Sequence, residues 1–136
     1  MIIETNKQKG NAGLSIAIAY FGTNDYTVSL PLNDTQWYDL VIEKNGVFET
    51  VQAKFTASKD QSVSLKSCGG TNGAAYDSVL DHPLDYMFCV NQDLKMWLVP
   101  MQDLREAGNT KSFRLREERS PNAHTGFDTS KYVVTF

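Results

Sequence analysis

The first apolar pattern along the chain predicts a helix near its beginning. Apolar residues recur every three or four positions between residues 14 and 21. This stripe predicts a helix over residues 6–22, with Asn6 as its N-cap and Gly22 at its end. Glycines inside its first half weaken the helix, so they indicate close approach of a neighbouring backbone or of a ligand.

After this helix, short alternating or continuously apolar stretches predict strands. The predicted strands cover residues 26–30, the two arms of a hairpin at 38–55, and residues 62–67, 86–90, 96–99, 112–116 and 132–136. A short helix is predicted over residues 101–107, and a helical turn over residues 74–80. This order predicts an α/β fold with a mixed β-sheet, in a single domain over residues 1–136.

The hairpin carries the most informative polar residues. The turn Asn45-Gly46 is a strong hairpin signal between two largely apolar strands. Asp39 opens the first strand, while Gln52 and Lys54 lie two positions apart on the second and therefore share a face. A carboxylate, an amide oxygen and an ammonium on adjacent strands are able to hold a hard cation and a water beside a phosphate.

A plainer interpretation competes with that one. An aspartate and a lysine on paired strands often form an ion pair on a solvated face. However, Lys54 is flanked by Ala53 and Phe55, and Asp39 adjoins an apolar run at 40–42. Polar groups that enter an apolar sheet need a partner or a role, which favours a functional site.

These residues resemble the signature of the PD-(D/E)XK nuclease superfamily. Asp39 is followed across the hairpin by Gln52-Ala53-Lys54, and the first helix opens with KGNAG at residues 9–13. Segments that match the resolvase-like and homing-endonuclease branch then follow in order at residues 84–88, 96–100 and 112–115, so the resemblance spans roughly residues 6–116. It implies a restriction-endonuclease-like core with helices flanking the sheet.

The resemblance also implies roles for individual residues. Asp39 would be the metal-binding aspartate, Lys54 the motif lysine, and the main-chain carbonyl of Ala53 a further ligand of Mg²⁺ or Mn²⁺. Gln52 stands where the superfamily has its second acidic ligand, and an amide attracts a divalent cation less strongly than a carboxylate does. Leu14 stands where many resolvase-like members carry a glutamate.

The implied activity is divalent-metal-dependent hydrolysis of phosphodiester bonds in double-stranded or branched DNA. An intron- or phage-encoded homing endonuclease is the favoured subtype, and a Holliday-junction resolvase comes next. The alternative is a catalytically inactive nuclease-fold module that binds DNA or protein. Because such a domain has one active site, cutting both strands requires a homo-oligomer, a dimer or a tetramer.

Charge adds one local feature to this interpretation. The net charge of −3 argues against broad attraction to nucleic acid, but a basic cluster at residues 111–119 includes Arg114, Arg116 and Arg119. We expect these arginines, together with Lys9 on the first helix, to contact DNA phosphates. The competing interpretation is a solvated edge balanced by the acidic residues at 117–118.

The remaining chemistry is sparse. Cys68 and Cys89 are too few for a disulfide framework or a cysteine zinc site, and His82 and His124 are too far apart in sequence for a histidine-centred one. Trp37 is expected to be half-buried packing rather than a stacking platform. Without an apolar span or signal peptide, we expect a protein of the reducing cytoplasm, associated with the nucleoid when bound to DNA, and no membrane contact.

Overall fold

The computed structural model describes residues 5–33, 35–66, 78–108, 111–119 and 127–136. The α-helices are α1, Asn6–Thr23, and α2, Met101–Ala107. The strands are β1, Thr27–Ser29; β2, Leu40–Lys44; β3, Val47–Thr56; β4, Ser62–Ser64; β5, Tyr86–Asn91; β6, Met96–Pro100; β7, Ser112–Arg114; and β8, Val133–Val134. Two short 3-10 helices cover Val79–Asp81 and Ser130–Tyr132. Most of the helical turn predicted at 74–80 lies outside the described residues.

Helix α1 begins at Asn6, as predicted, but its N-cap is one residue earlier than the sequence predicts. Its N-cap is Thr5, whose hydroxyl accepts a hydrogen bond from the Gln8 amide at 3.1 Å while the Gln8 side chain accepts from the Thr5 amide at 3.0 Å. The predicted cap Asn6 was wrong, because the residue three positions after it is a lysine, which cannot accept the reciprocal bond. Gly22 lies inside the helix, which continues to Thr23.

A six-stranded mixed sheet forms the centre of the fold. Its order is β1-β2-β3-β5-β6-β8, in which β3 and β5 run parallel and the other neighbours pair antiparallel. The predicted hairpin is confirmed, since Asn45 and Gly46 both adopt positive φ angles of 54° and 81°. That pair of left-handed residues makes the tight turn that matches the twist of the strands it joins.

One face of this sheet, which we call the helix face, packs against α1. Ala17 and Phe21 of the helix are fully buried against Leu40 and Val51 of the sheet. Gly13 comes close to β3, because a Cβ built on it would lie 3.5 Å from the carbonyl carbon of Lys54. The sequence predicts a close approach of a backbone or a ligand to the first half of this helix. At Gly13 the approaching group is the backbone of β3.

The opposite face, which we call the site face, is covered by a second, two-stranded sheet. Strands β4 and β7 pair antiparallel and together form what we call the ribbon. Apolar residues of the ribbon and of α2 are buried with those of β5 and β6 in one cluster: Val63, Leu65, Met87, Cys89, Trp97, Val99, Met101, Leu104, Phe113 and Leu115. The central sheet is therefore enclosed between one helix and a layer made of the ribbon and α2.

Candidate active site

The Asp39 carboxylate is held in place by the backbone of β3. The Asp39 amide donates to the Val51 carbonyl at 2.9 Å, just before β2 begins. Its Oδ2 accepts a hydrogen bond from the Ala53 amide at 2.8 Å. These two bonds join the start of β2 to the middle of β3, so the carboxylate cannot swing freely into solvent.

Gln52 and Lys54 lie on the site face, as the alternation of β3 requires. Val51 packs on the helix face with α1, so the even-numbered neighbours project to the other side. Gln52 pairs with Met87 and Lys54 with Cys89 across the parallel β3–β5 ladder, and both of these β5 residues belong to the cluster under the ribbon. The β2–β3 ladder begins at the Leu40–Val51 pair, and the Asp39 carboxylate just before it bonds to the Ala53 amide, so Asp39 lies beside Gln52.

The amine of Lys54 reaches the end of the ribbon. Its Nζ donates to the main-chain carbonyl of Lys66 at 2.8 Å, and Lys66 follows β4 by two residues. A carbonyl acceptor fixes the direction of the ammonium. The sequence does not predict this bond, because every residue has a main-chain carbonyl and the residue type does not show which one accepts.

Burial sets the electrostatics of the site. Desolvation raises the pKa of the Asp39 carboxyl above its ordinary value, while the Ala53 hydrogen bond and the charge of Lys54 oppose that rise. Burial also raises the pKa of the Cys89 thiol, although the charge of Lys54 acts against it. That thiol therefore stays protonated at neutral pH and supplies neither a nucleophile nor a metal ligand.

The donor set suits a hard cation better than zinc. Within the described residues, no cluster of three histidine, cysteine, aspartate or glutamate side chains is close enough to hold a metal ion. The residues that could hold one offer oxygen alone, from the Asp39 carboxylate, the Gln52 amide and the Ala53 carbonyl. Oxygen donors fit Mg²⁺ or Mn²⁺, although a single carboxylate makes the attraction weak.

Two contacts not anticipated from the sequence support the base of the hairpin. The Trp37 and His82 rings stack with centroids 5.0 Å apart and planes 11° from parallel. Trp37 also packs against the cluster under the ribbon, which fits its predicted role as half-buried packing. Farther along β3, the Thr50 amide donates to the Asp85 carboxylate at 2.8 Å. These contacts fix the segment before β5 against the two strands of the site.

The predicted DNA-contacting residues fall in two places. Arg114 lies on β7, and Arg116 and Arg119 follow it, all exposed on the side of the ribbon. Lys9 lies on α1, which packs on the helix face. The structure thus places Arg114 on the ribbon side of the central sheet and Lys9 on the helix side. His124 and Cys68 lie outside the described residues.

Comparison with known proteins supports the predicted fold and the predicted family. The bacterial homing endonuclease I-Ssp6803I superposes with a TM-score of 0.73 at 16% sequence identity, covering 96% of this chain and 89% of that one. The predicted α/β fold with its mixed sheet is thereby confirmed.

No curated protein matches the chain in sequence. No helix in the described parts of the chain is long and apolar enough to cross a membrane. A family model described as "PD-(D/E)XK endonuclease" matches residues 4–131, which is nearly the whole chain. The chain therefore belongs to the PD-(D/E)XK endonuclease family.

Proposed function

We propose that this nuclease-family chain is a divalent-metal-dependent DNA endonuclease that hydrolyses phosphodiester bonds in double-stranded or branched DNA. Family membership supports a nuclease, and the likeness to a bacterial homing endonuclease favours the homing type over a junction resolvase. The observation that carries the proposal is the Asp39 carboxylate, fixed 2.8 Å from the Ala53 amide between Gln52 and Lys54.

Each side chain has a distinct part in this chemistry. Asp39 supplies the negative charge that attracts a cation, and its bond to Ala53 keeps the carboxylate oriented toward β3. Gln52, only 6% exposed, supplies an oxygen without charge. A bound Mg²⁺ would polarise the phosphate and lower the pKa of a bound water.

Lys54 contributes positive charge beside the phosphate. Its ammonium is held by the Lys66 carbonyl at 2.8 Å, so it is already positioned before DNA arrives. A positioned donor stabilises the charge that develops on the phosphate oxygens during hydrolysis, and this kind of preorganisation commonly contributes a factor of about 10²–10³ in rate.

Cleavage of both strands calls for two copies of this site. Each chain carries one set of Asp39, Gln52 and Lys54, so we expect a homodimer or a tetramer in the active complex. Light scattering coupled to size exclusion, with and without DNA, measures the assembly directly.

The proposal is tested by cleavage of DNA of several topologies. Supercoiled plasmid, linear duplex and a four-way junction are each incubated with the wild-type protein in Mg²⁺, in Mn²⁺ and in EDTA. We expect cleavage of at least one substrate with either metal and none in EDTA. If every substrate stays intact with both metals, the alternative of an inactive binding module replaces the endonuclease.

A further inference from the structure

The ribbon has a polar outer face directly beside the site. Ser62 pairs with Arg114, and Ser64 pairs with Ser112. The pairing continues past the strand ends, because the Leu115 amide donates to the Gln61 carbonyl at 2.9 Å and the Leu65 amide to the Lys111 carbonyl at 2.9 Å. The ribbon is thus a regular two-stranded element at least five residues long.

Its two faces differ completely in chemistry. The inward residues Val63 and Phe113 are each 3–4% exposed and belong to the apolar cluster. The outward residues alternate with them, so Ser64, Ser112 and Arg114 are exposed. Small hydroxyls and one guanidinium leave this face without apolar bulk, so another surface could approach it closely.

Neighbouring acidic groups are already engaged within the protein. The Asp60 carboxylate accepts hydrogen bonds from the Ser62 amide at 3.1 Å and from its hydroxyl at 3.2 Å. Glu117 lies 3.9 Å from the Lys95 amine in an ion pair. Arg114 and Arg116 supply positive charge on the outer side of the ribbon, where the charge of Arg114 also acts on Asp60, and this positive charge complements a polyanion.

The ribbon is also continuous with the proposed active site. Lys66, whose carbonyl binds the Lys54 amine, lies four residues along the chain from Ser62, the partner of Arg114. At about 3.3 Å per residue, the Arg114 position lies roughly 13 Å along the ribbon from that carbonyl. This length is comparable to the rise of about four stacked base pairs, which are about 3.4 Å apart.

We propose that the ribbon enters the major groove of duplex DNA and reads base edges, with Arg114 as its principal base contact. A two-stranded ribbon has the dimensions that the major groove admits. The Arg114 guanidinium can donate two hydrogen bonds to a guanine, and the Ser64 and Ser112 hydroxyls can pair with neighbouring edges. This inference rests on the proposed function for the identity of the substrate, and it adds how that substrate is recognised.

The test uses binding and does not depend on cleavage. The full chain is incubated in Ca²⁺ with a duplex library that has 30 randomised base pairs, bound DNA is recovered, and enriched sequences are determined. The variants are Arg114→Ala and Arg114→Lys, because the lysine keeps the charge and loses the planar fork. Lys44→Ala is the matched control, since the Lys44 amine lies 4.2 Å from the ring of Tyr26, which packs on the helix face, on the other side of the sheet from the ribbon.

We expect the wild type and Lys44→Ala to enrich one shared motif. Both Arg114 variants should lose preference at the same base pair, with discrimination there lowered about 5- to 150-fold and the other positions retained. Thermal unfolding of each variant verifies that these exposed substitutions leave the fold intact.

Several results would overturn the inference. The ribbon does not read bases if the Arg114 variants enrich the wild-type motif, or if Arg114→Ala weakens binding to all sequences alike and Arg114→Lys restores it. If even the wild type enriches no motif, the ribbon does not read bases either.

The fate of the selected duplex in Mg²⁺ is scored separately. If the selected motif depends on Arg114 but the duplex is never cut, the proposed endonuclease activity is refuted and base reading by the ribbon is supported. If the duplex is cut and the motif does not depend on Arg114, the endonuclease activity is supported and base reading by the ribbon is refuted.

Discussion

Replacement of Gln52 by glutamate would restore a second carboxylate to a site that has only one. The side chain of residue 52 is 6% exposed and projects from β3 on the site face, next to Ala53, whose amide binds the Asp39 carboxylate. The substitution Gln52→Glu changes the volume little, so its effect on unfolding should come from charge. We expect it to destabilise the metal-free protein at pH 8 and to strengthen its response to Mg²⁺.

The size of this effect follows from the closeness of the two side chains. Neighbouring residues on paired strands have Cβ atoms about 5–8 Å apart. Two carboxylates at that separation repel by about 2–3 kcal/mol at an effective dielectric constant of about 20. The pair relieves part of this repulsion by binding a proton, because burial already raises the pKa of Asp39. We therefore expect the free energy of unfolding to fall by about 1–3 kcal/mol at pH 8.

The sign of the pH dependence follows from the same interaction. Repulsion raises the pKa values of the two carboxyl groups in the folded protein above their values in the unfolded protein. Gln52→Glu should therefore cost no stability through repulsion at a pH below the unfolded-state pKa, and the full cost should appear as the pH rises through the folded-state pKa. Urea unfolding at pH 5 and pH 8, with and without Mg²⁺, measures both effects. Mg²⁺ should recover most of the loss at pH 8, since a cation between the carboxylates replaces repulsion with attraction.

The matched control is the double variant Asp39→Asn with Gln52→Glu. It carries one carboxylate again, so the repulsion should vanish and the double-variant cycle isolates the interaction of the two residues. If Gln52→Glu alone unfolds like the wild type at both pH values, or if Mg²⁺ recovers nothing, then residues 39 and 52 do not face a common cation and the reasoning is wrong.

Four further outcomes are expected. Thr5→Ala removes the capping box of α1 and should lower the free energy of unfolding by about 1 kcal/mol in urea titrations. Gly10→Ala should raise it by about 0.5–1 kcal/mol, because a Cβ there meets nothing within 4 Å and alanine favours the helix; a loss of stability would show that this space is occupied. Burial raises the pKa of Asp39, so the stability of the wild type should decline as the pH rises through that pKa, and Asp39→Asn should remove this decline. The cleavage rate of the wild type should fall when the pH drops below the same pKa, because a protonated carboxyl holds a cation poorly. Urea titrations and cleavage rates measured from pH 4 to pH 9 check both statements, and identical pH dependence of stability in the wild type and Asp39→Asn would contradict the first.

The parts of the fold that the sequence predicts well are governed by local chemistry. The turn Asn45-Gly46 specifies the hairpin because both positions tolerate a positive φ, and the hairpin alone brings Asp39 near Ala53. Helix α2 occupies the predicted residues 101–107, because proline precedes it and Gly108 adopts the left-handed conformation that ends a helix. In these segments the decisive residues lie within a few positions of one another.

The parts that escaped prediction depend on contacts between distant segments. Nothing near Lys54 in the chain indicates that its amine meets the carbonyl of Lys66, because that bond exists only once the ribbon folds over the sheet. The stacking of Trp37 on His82 has the same origin, since 45 positions separate the two rings and only the β3–β5 pairing brings them together. The sequence therefore shows which side chains are candidates for the site, whereas the packing of distant segments decides which backbone groups contact them.

The most direct test of the site is the rate of plasmid nicking in Mg²⁺ by variants of its two charged residues. Asp39→Asn removes the only carboxylate that the donor set offers, and Lys54→Met removes the amine at nearly constant volume. Lys44→Met removes a lysine from β2 on the opposite side of the hairpin and serves as the control. We predict a loss of about 100-fold or more for each of the first two variants and an unchanged rate for the control. Cleavage that survives both Asp39→Asn and Lys54→Met would contradict the assignment of the active site to this hairpin.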